Sequence, residues 1–305
     1  MSWVKTKRLC SFTNVPYAGN PAWVIIGVNP NESAEKLMKL ASELNPLTDT
    51  TFVFPGEKEA DISLRFFSKS AEVKFSGHGT IATYFALEDE NFIKFSEPTT
   101  LIRQKTKSGI HTVELRVTNK KIQRATVWLP SPHLISMELE IKAISRFLGI
   151  SPVDITDTGY PIGVVSTEHI EAVVPVKSLE LLLELKPDFR LMRNYCERYG
   201  ITGVVVFTTE TKNKESNVHL RHFAPAVGIN EDPISGIASA AVGYYLVQSK
   251  IFTGEEVVRI VVEQGFALRR AGIVYVHVHT YKNEILRVSF GGQAITTFEG
   301  KLLIP

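Results

Sequence analysis

Short runs of β-branched and aromatic residues, separated by turn-forming clusters, dominate the pattern of apolar and polar positions. Strands are predicted at residues 9–12, 22–28, 51–54, 62–67, 111–117, 122–129, 204–208, 218–223, 258–262, 273–279 and 285–290. Helical spacing appears in only five places. At 33–44, Ser33 is placed to cap and Leu37, Leu40, Ala41 and Leu44 share one face. The others are 80–87, opened from Gly77; 137–148; 188–199, closed by Gly200; and 236–246. Strands that far outnumber helices predict an α+β chain.

One pattern occurs twice. Leu64-Arg65-Phe66-Phe67-Ser68 resembles Leu220-Arg221-His222-Phe223-Ala224. Each copy is followed by Glu-x-x-x-Ser-Gly, with Glu72 before Ser76-Gly77 and Glu231 before Ser235-Gly236. Each Ser-Gly opens a helix of small residues that runs to Leu87 or Leu246. The ordered set predicts an ancient duplication and two similar, pseudo-two-fold halves. The boundary is expected at the 118–121 turn, giving domains 1–120 and 121–305, with about the last 20 residues able to pack back on the first. Ligand sites favour domain interfaces, so the two Ser-Gly loops are expected to face each other.

Composition narrows the class. The chain has 305 residues, 44% hydrophobic and 22% charged, with 34 Lys and Arg against 32 Asp and Glu. That balance excludes a disordered tail protein or a collagen-like fibre, and the length predicts two domains. The scattered basic residues offer no phosphate-tracking surface, so nucleic acid is not an expected partner. No apolar stretch reaches the roughly 18 residues of a spanning helix, and no apolar segment follows the basic N-terminal residues. Membrane attachment and secretion are therefore not expected. The two cysteines, Cys10 and Cys196, fit a reducing, cytoplasmic setting.

The chemistry-bearing residues cluster at the two Ser-Gly turns. Ser76-Gly77-His78-Gly79-Thr80 is a strand-to-helix turn in which backbone N–H groups can approach an anion. It matches neither phosphate-binding nucleotide motif. His78 is either incidental to this turn or faces a ligand. In Glu231-Asp232-Pro-Ile-Ser235-Gly236-Ile237, Asp232 either favours the helix dipole or pairs with His78 for proton transfer. Asp49 reads locally as a turn residue. His219 with His222, and His277 with His279, lack a further ligand at useful spacing, so no metal is expected.

The order of Phe12-Thr13, Gly19-Asn-Pro-Ala22, Leu47-Thr-Asp-Thr-Thr-Phe52, Gly77-His-Gly-Thr80, Arg221-His-Phe-Ala-Pro225, Glu231-Asp-Pro-Ile-Ser-Gly236 and Gly291-Gly292-Gln-Ala294 resembles the PhzF-like phenazine-biosynthesis family. The resemblance runs from about residue 8 to the end. It implies the diaminopimelate-epimerase-like fold: two similar domains, each a curved, mostly antiparallel sheet around a central helix, with the active site between them. It further implies a homodimer and a cofactor-independent isomerase moving a proton at carbon in a small carboxylate-bearing substrate. The acid/base carboxylate maps to Asp49, assisted by His78 and Asp232, while Ser76, Gly77, Gly79, Ser235, Gly236 and Ile237 line the substrate. Asp49 stands where the family usually has Glu, and Ile237 where it often has Ser. Related epimerases carry Cys at the positions of Ser76 and Ser235, and a serine hydroxyl is a far weaker base. A binding protein that kept the cleft, or an epimerase using other bases, are the alternatives.

Overall fold

The computed structural model describes residues 2–44, 49–68, 71–90, 92–130, 132–282 and 284–304. Leu47 and Thr48 of the Asp49 motif lie outside the described residues. The chain divides into two compact units, one comprising Met1–Trp128 and Gly291–Pro305, the other Leu129–Phe290. The division follows Trp128. The 118–121 turn instead joins two paired strands of the first unit.

In the first unit the order is β1 (Ser2–Ser11), β2 (Asn20–Ile26), α1 (Ala34–Leu44), β3 (Thr50–Pro55), β4 (Ile62–Phe67), β5 (Glu72–Val73), α2 (Gly77–Leu87), β6 (Thr99–Thr106), β7 (Gly109–Thr118) and β8 (Lys121–Trp128). The second unit carries β9 (His133–Leu134), α3 (Ile141–Leu148), α4 (Val153–Thr156), β10 (Gly163–Ser166), β11 (Ile170–Pro175), α5 (Leu179–Glu184), α6 (Phe189–Tyr199), β12 (Gly203–Thr208), β13 (Val218–Ala224), β14 (Ile229–Asp232), α7 (Gly236–Gln248), β15 (Val257–Gln264), β16 (Gly272–Tyr281) and all but the last two residues of β17 (Glu284–Gly292). The last strand, β18 (Ala294–Ile304), returns to pair with β1 along its whole length.

The pairing pattern is the same in both units. Along β1-β2-β3-β4-β6-β7 the steps run antiparallel, parallel, antiparallel, parallel, antiparallel. Along β10-β11-β12-β13-β15-β16 they run identically. Each unit thus has a mostly antiparallel sheet packed around one helix, α2 or α7, which is buried on nearly every face. A helix apolar all round needs such enclosure, because a one-sided sheet would leave half of it in water. This is the α+β architecture that the resemblance implies.

The flanking helices follow the expected caps. Ser33 Oγ accepts from Lys36 N (3.2 Å), and α1 buries Leu37, Leu40 and Ala41. Asp188 caps α6, and Gly200 ends it at φ 67°, a conformation that costs glycine nothing. The helix expected at 137–148 begins only at Ile141, with Glu140 as its N-cap. Among the described residues no helix is long and apolar enough to cross a membrane.

Candidate active site

In the first unit the site is built where β3 begins beside the N-terminus of α2. The Asp49 carbonyl accepts from Trp23 N at 3.2 Å, which fixes the backbone just before β3. Ser76, in extended backbone at φ −134°, caps α2 by accepting from Gly79 N at 3.3 Å. Gly79 lets the helix end lie against β3, since a β-carbon there would sit 2.8 Å from Thr51 Oγ1 and 3.0 Å from Ser76 Oγ. That close approach brings His78 to Asp49. The imidazole Nε2 lies 3.8 Å from Asp49 Oδ2, and Nδ1 lies 3.5 Å from Ser76 Oγ. Ser11 Oγ donates to the His78 carbonyl at 2.7 Å and holds the turn from below. Only 15% of the His78 side chain and 16% of the Asp49 side chain reach solvent, so the pair is largely shielded from water. Gly77 and His78 are the first two residues of α2, whose N–H groups point out of the helix end.

The second unit repeats the frame. Arg221 donates to both oxygens of Glu231, at 2.8 and 2.7 Å, as Arg65 does to Glu72 at 2.8 and 3.1 Å. The Arg65 guanidinium beside Glu72 holds that carboxyl below the usual range, against the effect of burial. Ser235 caps α7 through Ala238 N at 3.1 Å. Gly236 leaves room for the Phe290 ring, which any β-carbon there would overlap. Gln264 ties the loop together, accepting from Ser235 N at 2.9 Å and donating to the Asp232 carbonyl at 2.8 Å. Ile237, at the helix position matching His78, is buried.

Asp232 has partners that sequence reasoning did not select. Its Oδ2 lies 3.6 Å from His222 Nδ1, and His222 Nε2 lies 3.2 Å from Glu171 Oε2. Glu171 is wholly buried and 51 residues from His222 in sequence. Burial opposes a charge on His222, yet Glu171 and Asp232 hold it up to about 10. His219, weighed with His222 as a metal pair, instead places Nδ1 2.6 Å from Glu263 Oε1. The alternation of a strand points residues three apart to opposite faces, which separates the two histidines.

Residues 9–300 match the family described as phenazine biosynthesis-like protein, and the chain belongs to that family. It is 33% identical over 301 residues to an uncharacterised isomerase from Clostridium acetobutylicum, covering 97% of each chain. It is 25% identical over 297 residues to the trans-2,3-dihydro-3-hydroxyanthranilate isomerase of Pseudomonas chlororaphis, covering 96% of this chain and 97% of that one. Among solved structures, the PhzF-family phenazine biosynthesis protein of Bacillus anthracis aligns over 100% of both chains with a TM-score of 0.89 and 25% identity. The protein is an enzyme of the isomerase class.

Proposed function

We propose that this isomerase moves a proton between carbons of a small carboxylate-bearing substrate, without a cofactor, with Asp49 as the acid/base. The observation that carries the reading is the Asp49–His78 pair, 3.8 Å apart and mostly shielded from water at the N-terminus of α2. A carboxylate that takes a proton from one carbon and returns it at another needs such shielding. It also needs a neighbour that fixes its orientation. His78 supplies that neighbour and can hydrogen-bond charge developing on a substrate oxygen. The N–H groups of Gly77 and His78, at the positive end of the helix dipole, suit a substrate carboxylate. By their place in the family motif, Asp232 and the Ser235-Gly236 turn are assigned to the same reaction.

Since a relative isomerises trans-2,3-dihydro-3-hydroxyanthranilate, that compound is the first substrate to test. Asp49→Asn keeps the size of the side chain and removes its proton chemistry. It is expected to lower kcat by ~100-fold or more with little change in KM. Wild-type turnover by the Asn variant would remove Asp49 from the mechanism. Binding without turnover by the wild type would favour a protein that only binds its ligand.

A further inference from the structure

The two units share one plan, and they differ sharply at one buried spot on β13. In the repeat, Arg65 matches Arg221 and Phe67 matches Phe223, but Phe66 matches His222. Phe66 is fully buried and packs edge-on against Phe75, with ring centroids 6.0 Å apart. His222 is almost as buried, yet it stands between two carboxylates. The strand registers extend the comparison. Thr50 pairs with Phe67 and Val204 with Phe223, so Gly203 occupies the register of Asp49. A β-carbon at Gly203 would overlap both His222 Nε2 and Glu171 Oε2. The second unit has therefore vacated the Asp49 position and filled the space with a buried charge pair.

Charge buried in this way is not the cheapest way to fill a core. Desolvation opposes it, and the first unit shows that a phenylalanine fits the same frame. The arrangement needs another reason, and it lies at the end of the chain of contacts. Each ring nitrogen of His222 faces a carboxylate oxygen, Glu171 Oε2 at 3.2 Å and Asp232 Oδ2 at 3.6 Å. Nε2 is within hydrogen-bond reach of Glu171 and Nδ1 stands at ion-pair distance from Asp232, and a carboxylate on each side of the ring favours the imidazolium form. We propose that His222, held as a cation by Glu171, is a positioning residue that orients the Asp232 carboxylate toward its role in proton transfer. This rests on the assignment of Asp232 to the catalytic set.

The other titratable groups around this chain are few. His169 Nδ1 lies 3.8 Å from the second oxygen of Glu171. Cys196, a buried thiol of α6, is pushed up to about 12 by burial, with Glu171 adding to the effect. Arg221, next in sequence to His222, is engaged with Glu231.

The test is a side-chain 15N NMR titration of the full-length protein, which needs no substrate. His222 is expected to carry protons on both nitrogens at pH 7–8 and to titrate near pH 10. In Asp232→Asn its titration should fall by about 1–3 pH units, and in Glu171→Gln it should fall again by that order. A neutral His222 at pH 7 in the wild type, or a titration indifferent to Asp232→Asn, would overturn the proposal. The catalytic arm uses trans-2,3-dihydro-3-hydroxyanthranilate with His222→Phe paired with Glu171→Leu, a variant that removes both members of the buried pair together. It should fold, bind with KM within about twofold, and lose ~10-fold or more in kcat. An unchanged kcat in that variant would refute the positioning role. An inactive wild type would count against the proposed function and leave the His222 titration to decide the charge chain.

Discussion

At the scale of the residue, reach decides what Asp49 can do. Its side chain is one methylene shorter than the glutamate that the resemblance implies, yet Oδ2 comes within 3.8 Å of His78 because Gly79 lets the helix end approach β3. Lengthening the side chain keeps the carboxylate, so Asp49→Glu should retain kcat within about tenfold where Asp49→Asn loses ~100-fold. Steady-state kinetics on one substrate would separate the two. Asp49 was visible only through its motif, because a single Asp between threonines reads locally as a turn. Ser76 and Ser235 were legible as helix openers, and both act as caps. His222 and Glu171 were not legible. Their meeting is set by the register of β11, β12 and β13, and register across strands distant in sequence leaves no local signal.

At the scale of the element, the central helices α2 and α7 depend on their serine caps. Each hydroxyl satisfies an N–H that enclosure would otherwise leave unpaired. Ser76→Ala and Ser235→Ala should each destabilise the fold by about 0.5–2 kcal/mol, measurable as a lower denaturation midpoint with an unchanged m-value. The Ser76 change should also cost activity, since Ser76 Oγ lies 3.5 Å from His78 Nδ1. Elements with clean patterns were legible, and β4 spans the residues expected of it. β6 was missed because two of its three inward positions are the polar Gln104 and Thr106. Gln104 is satisfied inside, accepting from the Tyr84 hydroxyl at 2.9 Å and donating to Thr80 Oγ1 at 3.1 Å. Polarity that is paired within a core hides a strand from any reading by hydrophobic alternation. β18 was missed for the opposite reason, since most of its side chains are exposed or only half-buried.

At the scale of the whole molecule, the duplication was legible from the repeated Arg, Glu and Ser-Gly, and each unit bears it out in pairing order. The two units also carry opposite pH sensitivities. In the first, burial pushes His111 down to about 4, with its ring against Phe75 at 4.6 Å between centroids. Its contribution to stability is complete above 6.5 and is lost as pH falls from there through 4, because the unfolded chain then binds the extra proton. In the second, His222 is held up to about 10. Its contribution is complete below 6.5 and is lost as pH rises through 10, because the folded state then holds the extra proton. Amide hydrogen exchange should show acid loosening chiefly β7 and alkali chiefly β13, and His222→Phe paired with Glu171→Leu should remove the alkaline limb. The measurement that bears most directly on the central claim is proton exchange at carbon. Wild-type protein and Asp49→Asn would each be incubated in D2O with trans-2,3-dihydro-3-hydroxyanthranilate and followed by NMR. Deuterium is expected to enter the carbon framework with the wild type, at a rate that falls ~100-fold or more with the Asn variant. Equal deuterium uptake by the two proteins would contradict that claim.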